Sequence, residues 1–121
     1  MAISEAQFRN RVEAWPGVTL DVKWGDHLVA SVDAKMFAMF NRADSARAGQ
    51  LHFKVEDELF LALTEQPGIA PAMYLARAKW VTVVEPKRYP MSWYGERLRG
   101  AYEIIAGKLS KKRQRELGLT S

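Results

Sequence analysis

Pro71-Ala72-Met73-Tyr74-Leu75-Ala76-Arg77-Ala78-Lys79-Trp80-Val81-Thr82-Val83-Val84 is the stretch where the pattern of the chain changes. Its second half, Ala78 to Val84, is short, β-branched and aromatic, and Pro71 and Pro86 bound it, so it predicts a strand and not a helix. Before it the apolar residues mostly alternate with polar ones, as in hairpins. After Pro90 they recur at helical spacing. A sheet made by the first two-thirds and covered by a helix from the last third is what this division implies.

Working outward toward the N-terminus, Ser4 and Gln7 have capping-box spacing and Ile3 and Phe8 the spacing of a hydrophobic staple. Phe8, Val12 and Trp15 then form one apolar face, which predicts a helix over Ser4–Trp15 stopped by Pro16-Gly17. Leu20, Val22 and Trp24 alternate in a first strand, and Gly25-Asp26 turns it into a second carrying Leu28, Ala30 and Val32. Asp33-Ala34 is a weaker turn. Lys35 to Phe40 is apolar on both parities, as in a central strand covered on both faces. A polar loop, Asn41 to Gly49, precedes a fourth strand carrying Leu51, Phe53 and Val55. Glu56, Asp57 and Glu58 sit where a helix dipole favours them, predicting a short helix within Val55–Gln66 that Pro67-Gly68 ends. Ile69 to Ala76 reads as the turn into the fifth strand.

Toward the C-terminus, Ser92 is a candidate N-cap for a helix reaching about Leu109, with Leu98, Ala101, Tyr102, Ile105 and Leu109 as its stripe. Gly100 and Gly107 inside it suggest close approach to the strands. Ser110 can cap a last turn, Lys111 to Leu117. The expected fold is α+β in two layers: a five-stranded, mainly antiparallel sheet with helices on one face, Leu98, Tyr102 and Ile105 being buried against Leu20, Val22, Phe53 and Val81. One domain over 1–121 is expected, a length that buries roughly two-thirds of the unfolded surface.

Composition narrows the chemistry. A hydrophobic fraction of 48% and a charged fraction of 26% are those of an ordinary globular domain, and the net charge of +4 permits a polyanionic partner without demanding one. With no cysteine there is no disulfide, thiolate metal site or cysteine nucleophile. The lack of a membrane-length apolar run or leader pattern leads to the expectation of a cytoplasmic protein with no membrane partner. His27 and His52 lie on separate strands without ligand-like spacing, and turn and helix-start chemistry accounts for the clustered carboxylates. No metal, no cofactor and no catalytic residue is therefore expected.

The sharpest polar feature is the basic C-terminus. Lys108, Lys111, Lys112 and Arg115 form one cationic stripe, with Arg113 beside it, if a single helix runs through Ser110. If Ser110 restarts a helix, Lys111, Lys112 and Arg113 crowd its positive end; in either arrangement the charges look unneutralised. Phosphate contact and a solvated tail are the two readings. Arg77 and Lys79 flank the fifth strand and Lys54 lies on a polar parity. These bases make a positive sheet face or simply its solvent side. Trp80, Trp93, Tyr89 and Tyr94 are interleaved with bases, as in surfaces that stack unpaired bases, although core packing is the commoner use.

Pro16-Gly17-Val18, Trp24-Gly25-Asp26, Lys35-Met36-Phe37-Ala38, Phe53-Lys54-Val55, Pro71 to Arg77, Lys79-Trp80-Val81 and Leu109-Ser110-Lys111-Lys112-Arg113 occur in this order, and together they resemble the MmcQ/YjbR family. Ala34 departs from the family's usual glycine and Met73 from a common proline. The resemblance implies a secretion-chaperone-like or frataxin-like two-layer fold and a non-enzymatic DNA-binding role through a pair of hairpin wings. The candidate phosphate contacts are then Lys108, Lys111, Lys112, Arg113, Arg115, Arg77, Lys79 and Lys54. A protein-interaction or chaperone-like module is the alternative, and it predicts a large exposed apolar patch.

Overall fold

The computed structural model describes residues 3–24, 26–42 and 47–119. Its elements are α1 (Glu5–Glu13), β1 (Val18–Lys23), β2 (His27–Val32), β3 (Lys35–Asn41), β4 (Leu51–Lys54), α2 (Asp57–Thr64), β5 (Ile69–Pro71), β6 (Trp80–Val83), α3 (Met91–Gly107) and α4 (Lys111–Glu116), with single 3-10 turns at Ala76–Ala78 and Pro86–Arg88. All strands join one antiparallel sheet in the order β1-β2-β3-β4-β6-β5. The predicted α+β fold with an antiparallel sheet is therefore the observed one, but with six strands in place of five. The added strand, β5, is three residues long with Pro71 at its end, too short to show alternation and tolerable only at a sheet edge. Ala72 to Lys79 then doubles back over the sheet, so β6 starts at Trp80 and not at Ala78.

Local chemistry sets most boundaries. The Ser4 hydroxyl accepts from Gln7 N–H at 3.1 Å and the Gln7 side chain accepts from Ser4 N–H at 2.9 Å, the expected capping box. The start of α3 differs from expectation: Trp93 and Tyr94 N–H donate to the Pro90 carbonyl, closing the first turn before Ser92 can cap it. Gly25 of the first hairpin turn lies outside the described residues. The next turn is Asp33-Ala34, with φ of +51° and +64°, the left-handed pair that a two-residue type I′ hairpin demands.

One face of the sheet is the core. Phe8 and Val12 of α1 and Tyr94, Leu98 and Tyr102 of α3 pack with Leu28, Ala30, Val32, Phe37, Phe40, Leu51, Phe53, Val81 and Val83. The Tyr102 hydroxyl donates to the Pro16 carbonyl at 2.7 Å and the Tyr94 hydroxyl to the Pro86 carbonyl at 2.6 Å; burial pushes the Tyr94 pKa up to about 12. Tyr102, Leu98 and Ile105 are buried as expected, whereas Val22 is 48% exposed. The helix α3 lies over β2, β3 and β4, and Val22 stands near the end of the edge strand β1. Gly100 and Gly107 face open space, so they mark no close approach.

β3 contains a phase slip. Ala30 pairs with Ala38 but Ser31 with Met36, leaving Phe37 as an extra residue. Phe37 and Ala38 consequently both join the helix-side core, and Met36 and Met39 both turn to the opposite face.

Candidate functional site

The strand register places three cation-bearing segments at one end of the sheet. β4 pairs antiparallel with β3 and β6, with Ala38 opposite Phe53 and Lys54 opposite Trp80, so the Asp33-Ala34 turn, Lys54 and Lys79 stand at the same end. The Lys54 ammonium donates to the Ala78 carbonyl. Its pKa is lowered first by burial and then by Lys108, with Lys79 adding and Asp57 opposing. Lys54, Lys79 and Lys108, distant in sequence, therefore share one electrostatic neighbourhood. Lys79 Nζ lies 5.0 Å from the Phe60 ring centroid, and Arg77 is exposed in the preceding 3-10 turn.

The C-terminal bases do not form a single stripe. α3 ends at Gly107, and Ser110 restarts the chain as α4, its hydroxyl accepting from Arg113 N–H at 3.1 Å. Lys111, Lys112, Arg113 and Arg115 are exposed on α4. The expectation that all are unneutralised is corrected for Arg113, which lies 2.9 Å from Asp33 and 3.6 Å from Glu116 and holds the Asp33 carboxyl below the usual carboxylate range. It ties α4 to the β2–β3 turn. The aromatic residues interleaved with bases are used in packing: Trp80 and Tyr94 are buried, and Tyr89 stacks on Trp93 at 4.2 Å while donating to the Pro67 carbonyl.

The residues that sequence reasoning passed over lie on the other face of the sheet. A groove of about 810 Å³ runs between this face and the Ala70–Leu75 segment. Met36, Met39, Leu75 and Ala72 line its apolar end, and Val84, Pro71, Met73, Tyr74 and Trp24 its rims. Trp24, Met73, Tyr74 and Val84 are all exposed. Trp24 and Tyr74 both have positive φ, +52° and +67°, where bulky side chains are rare and cost roughly 1–2 kcal/mol each.

The floor is a closed polar row. Asn41 Nδ2 donates to the Arg47 carbonyl at 3.1 Å, which leaves Asn41 Oδ1 to accept from His52 Nε2 at 3.0 Å; the Thr82 hydroxyl then donates to His52 Nδ1 at 2.7 Å. Burial, helped by His27 and Arg47, pushes the His52 pKa down to about 4, so the imidazole is neutral and its tautomer is set by this row. The His27 ring lies 6.2 Å from that of His52 and its Nδ1 2.9 Å from the Asp26 carboxylate, without the alignment of a hydrogen bond. The two histidines thus converge, contrary to expectation, because His27 pairs with Asn41 across β2–β3 and His52 reaches Asn41 from β4. Among the described residues no group of three or more His, Asp or Glu is placed to hold a metal, and no helix is long and apolar enough to cross a membrane. Outward parity of His27, Asn41 and His52 was the available signal for this floor.

The YjbR family model matches residues 13–104. Among solved structures, the chain is similar to the Deinococcus radiodurans protein DR2400, described with a DUF419 domain, at 28% identity and a TM-score of 0.80, covering 93% of this chain and 86% of that one. A Pseudomonas syringae protein shares the fold at 19% identity and a TM-score of 0.70, over 85% of this chain and 99% of that one. No curated protein matches.

Proposed function

Because the chain belongs to the YjbR family, we propose that it acts without catalysis, as a DNA-binding protein that contacts phosphates from the basic end of its sheet. The observation that carries this reading is the strand register that brings Lys54 and Lys79 to one end of the sheet, with Lys108 near enough to add to the effect of burial on the Lys54 ammonium. Like charges held together cost stability, and a polyanion offsets that cost. Arg77, Lys111, Lys112 and Arg115, exposed nearby in sequence, extend the surface, whereas Arg113 is occupied in holding α4 to Asp33. In this reading His52, its two ring nitrogens engaged by Thr82 and Asn41, serves the fold of the open face. A cytoplasmic location accompanies this reading.

The test is duplex binding titrated with salt. If about four cations meet phosphates, log K falls against log[salt] with a slope near −3.6, and it does so alike for unrelated sequences. Replacing Lys79, Lys108, Lys111 and Lys112 by glutamine flattens that slope toward zero. Binding that is independent of salt, or indifferent to the fourfold replacement, defeats the reading. A protein-interaction module is the second reading, favoured by the exposed Met73, Trp24, Tyr74 and Val84. It predicts association with a protein partner or a second copy in the presence of competing DNA.

A further inference from the structure

Large aromatic side chains are expected inside a protein, and residues with positive φ are expected to be glycine or asparagine. Trp24 and Tyr74 break both rules together: they are 63% and 95% exposed, at φ of +52° and +67°. Packing buries neither ring: Trp24 meets the His27 ring edge-on at 5.9 Å between centroids and stays largely in water, and a small residue would have relieved either backbone. Both line the groove, Trp24 at the end of β1 and Tyr74 on the segment that folds back over the sheet. Strained conformations of exposed side chains concentrate at sites that meet a ligand.

The groove between them suits flat, weakly polar rings. Its methionines, Met36 and Met39, are adaptable and apolar, and the polar row beneath is already satisfied within itself. Arg47 is the one charged residue among the described lining, and no carboxylate is among those described residues; Asp26 stands beside His27. At its apolar end Leu75 and Met36 adjoin, in sequence, the basic residues Arg77, Lys79 and Lys35. An occupant with aromatic faces and an anionic backbone matches this combination, whereas an acidic peptide lacks the faces and an acyl chain lacks the repeated charge.

We propose that the groove receives the unpaired bases of a single-stranded nucleic acid, with Trp24 and Tyr74 as stacking platforms and the basic end of the sheet following the phosphates. The proposal rests on the nucleic-acid reading above and adds to it a second, base-dependent surface. Stacking on an aromatic side chain tolerates any base, so discrimination is between stacked and absent bases, not between sequences.

Three probes separate the two surfaces: an oligothymidylate of about twelve nucleotides, an abasic oligomer of the same length and charge, and a duplex. The expected result is that the oligothymidylate binds at least about tenfold tighter than the abasic oligomer and quenches tryptophan fluorescence. Trp24→Ala with Tyr74→Ala removes that tenfold advantage and the quench, and leaves duplex affinity unchanged. Because both rings are exposed, the thermal midpoint holds or rises; Trp24→Gly with Tyr74→Gly repeats the test with the backbone relieved. Equal, salt-dependent binding of both oligomers that neither double variant changes overturns the proposal while the phosphate reading stands. Failure of all three probes to bind overturns both. Loss of self-association in the variants, with nucleic-acid binding intact, also overturns it and assigns the groove to a second copy of the chain.

Discussion

Under the helices the sheet presents Leu28, Phe37, Phe53, Val81 and Val83, all fully buried among apolar neighbours; on its other side it presents His27, Asn41, His52 and Thr82 beside exposed aromatic and methionine side chains. Both faces come from the same strands, one residue out of phase. On the first, burial contributes the bulk of the folding free energy. On the second, Asn41, His52 and Thr82 are joined in a single hydrogen-bonded row and large apolar groups are left in water, where they contribute little to folding. The contrast separates the part of the sequence answerable to stability from the part left for a partner.

The largest expected effect comes from cutting the closed face. Phe53→Ala removes a fully buried ring and should cost about 3–5 kcal/mol, while Trp24→Ala on the open face should stay within about 0.5 kcal/mol. Chemical denaturation of both variants measures the difference, and comparable losses would erase the distinction between the faces. Next comes acid. The folded-state pKa of His52 is depressed to about 4 from an ordinary value of 6.5, so as pH falls between these the unfolded chain takes up a proton that the folded chain refuses. Stability should therefore be full above about pH 6.5 and fall by about 2–3 kcal/mol on the way to pH 4. In His52→Gln that component of the pH dependence disappears, and unfolding curves at several pH values would reveal it.

Smaller effects sharpen the comparison within the closed face. Tyr102→Phe leaves the ring in place and removes only the hydrogen bond to the Pro16 carbonyl, for a loss of about 1 kcal/mol in thermal or urea unfolding. Ala34→Gly should stabilise, by about 0.5–1 kcal/mol, because Ala34 sits at φ +64° in a turn whose geometry glycine adopts without strain. A decrease in stability would mean that the loss of chain entropy outweighs the relief of the turn.

The closed face was legible because burial writes a repeating signal. Phe8 and Val12, the alternation Leu28-Ala30-Val32, and the stripe Leu98, Tyr102 and Ile105 all carried the period of their elements, and the capping box at Ser4 was explicit. β5 was missed because three residues are too few for a period and Pro71 argues locally against a strand. The open face carried no such signal. His27 and His52 converge only through the register of two hairpins, and Trp24 read as one more inward residue of β1 until a positive φ at its end turned it aside. Arg113 looked like its neighbours because its partner, Asp33, is remote in sequence.

The extra residue in β3 has a consequence for how such proteins diverge. Pairing Ser31 with Met36, and not with Phe37, delivers a phenyl ring to the helix layer and a thioether to the groove in a single stroke. Replacing either side chain alters the filling of a face but not which face it belongs to. Gaining or losing one residue there works like a shift of reading frame: everything on one side of it changes allegiance from core to groove or back. Among relatives of this fold, the presence and depth of the groove should accordingly track insertions and deletions in the third strand more closely than they track substitutions along it.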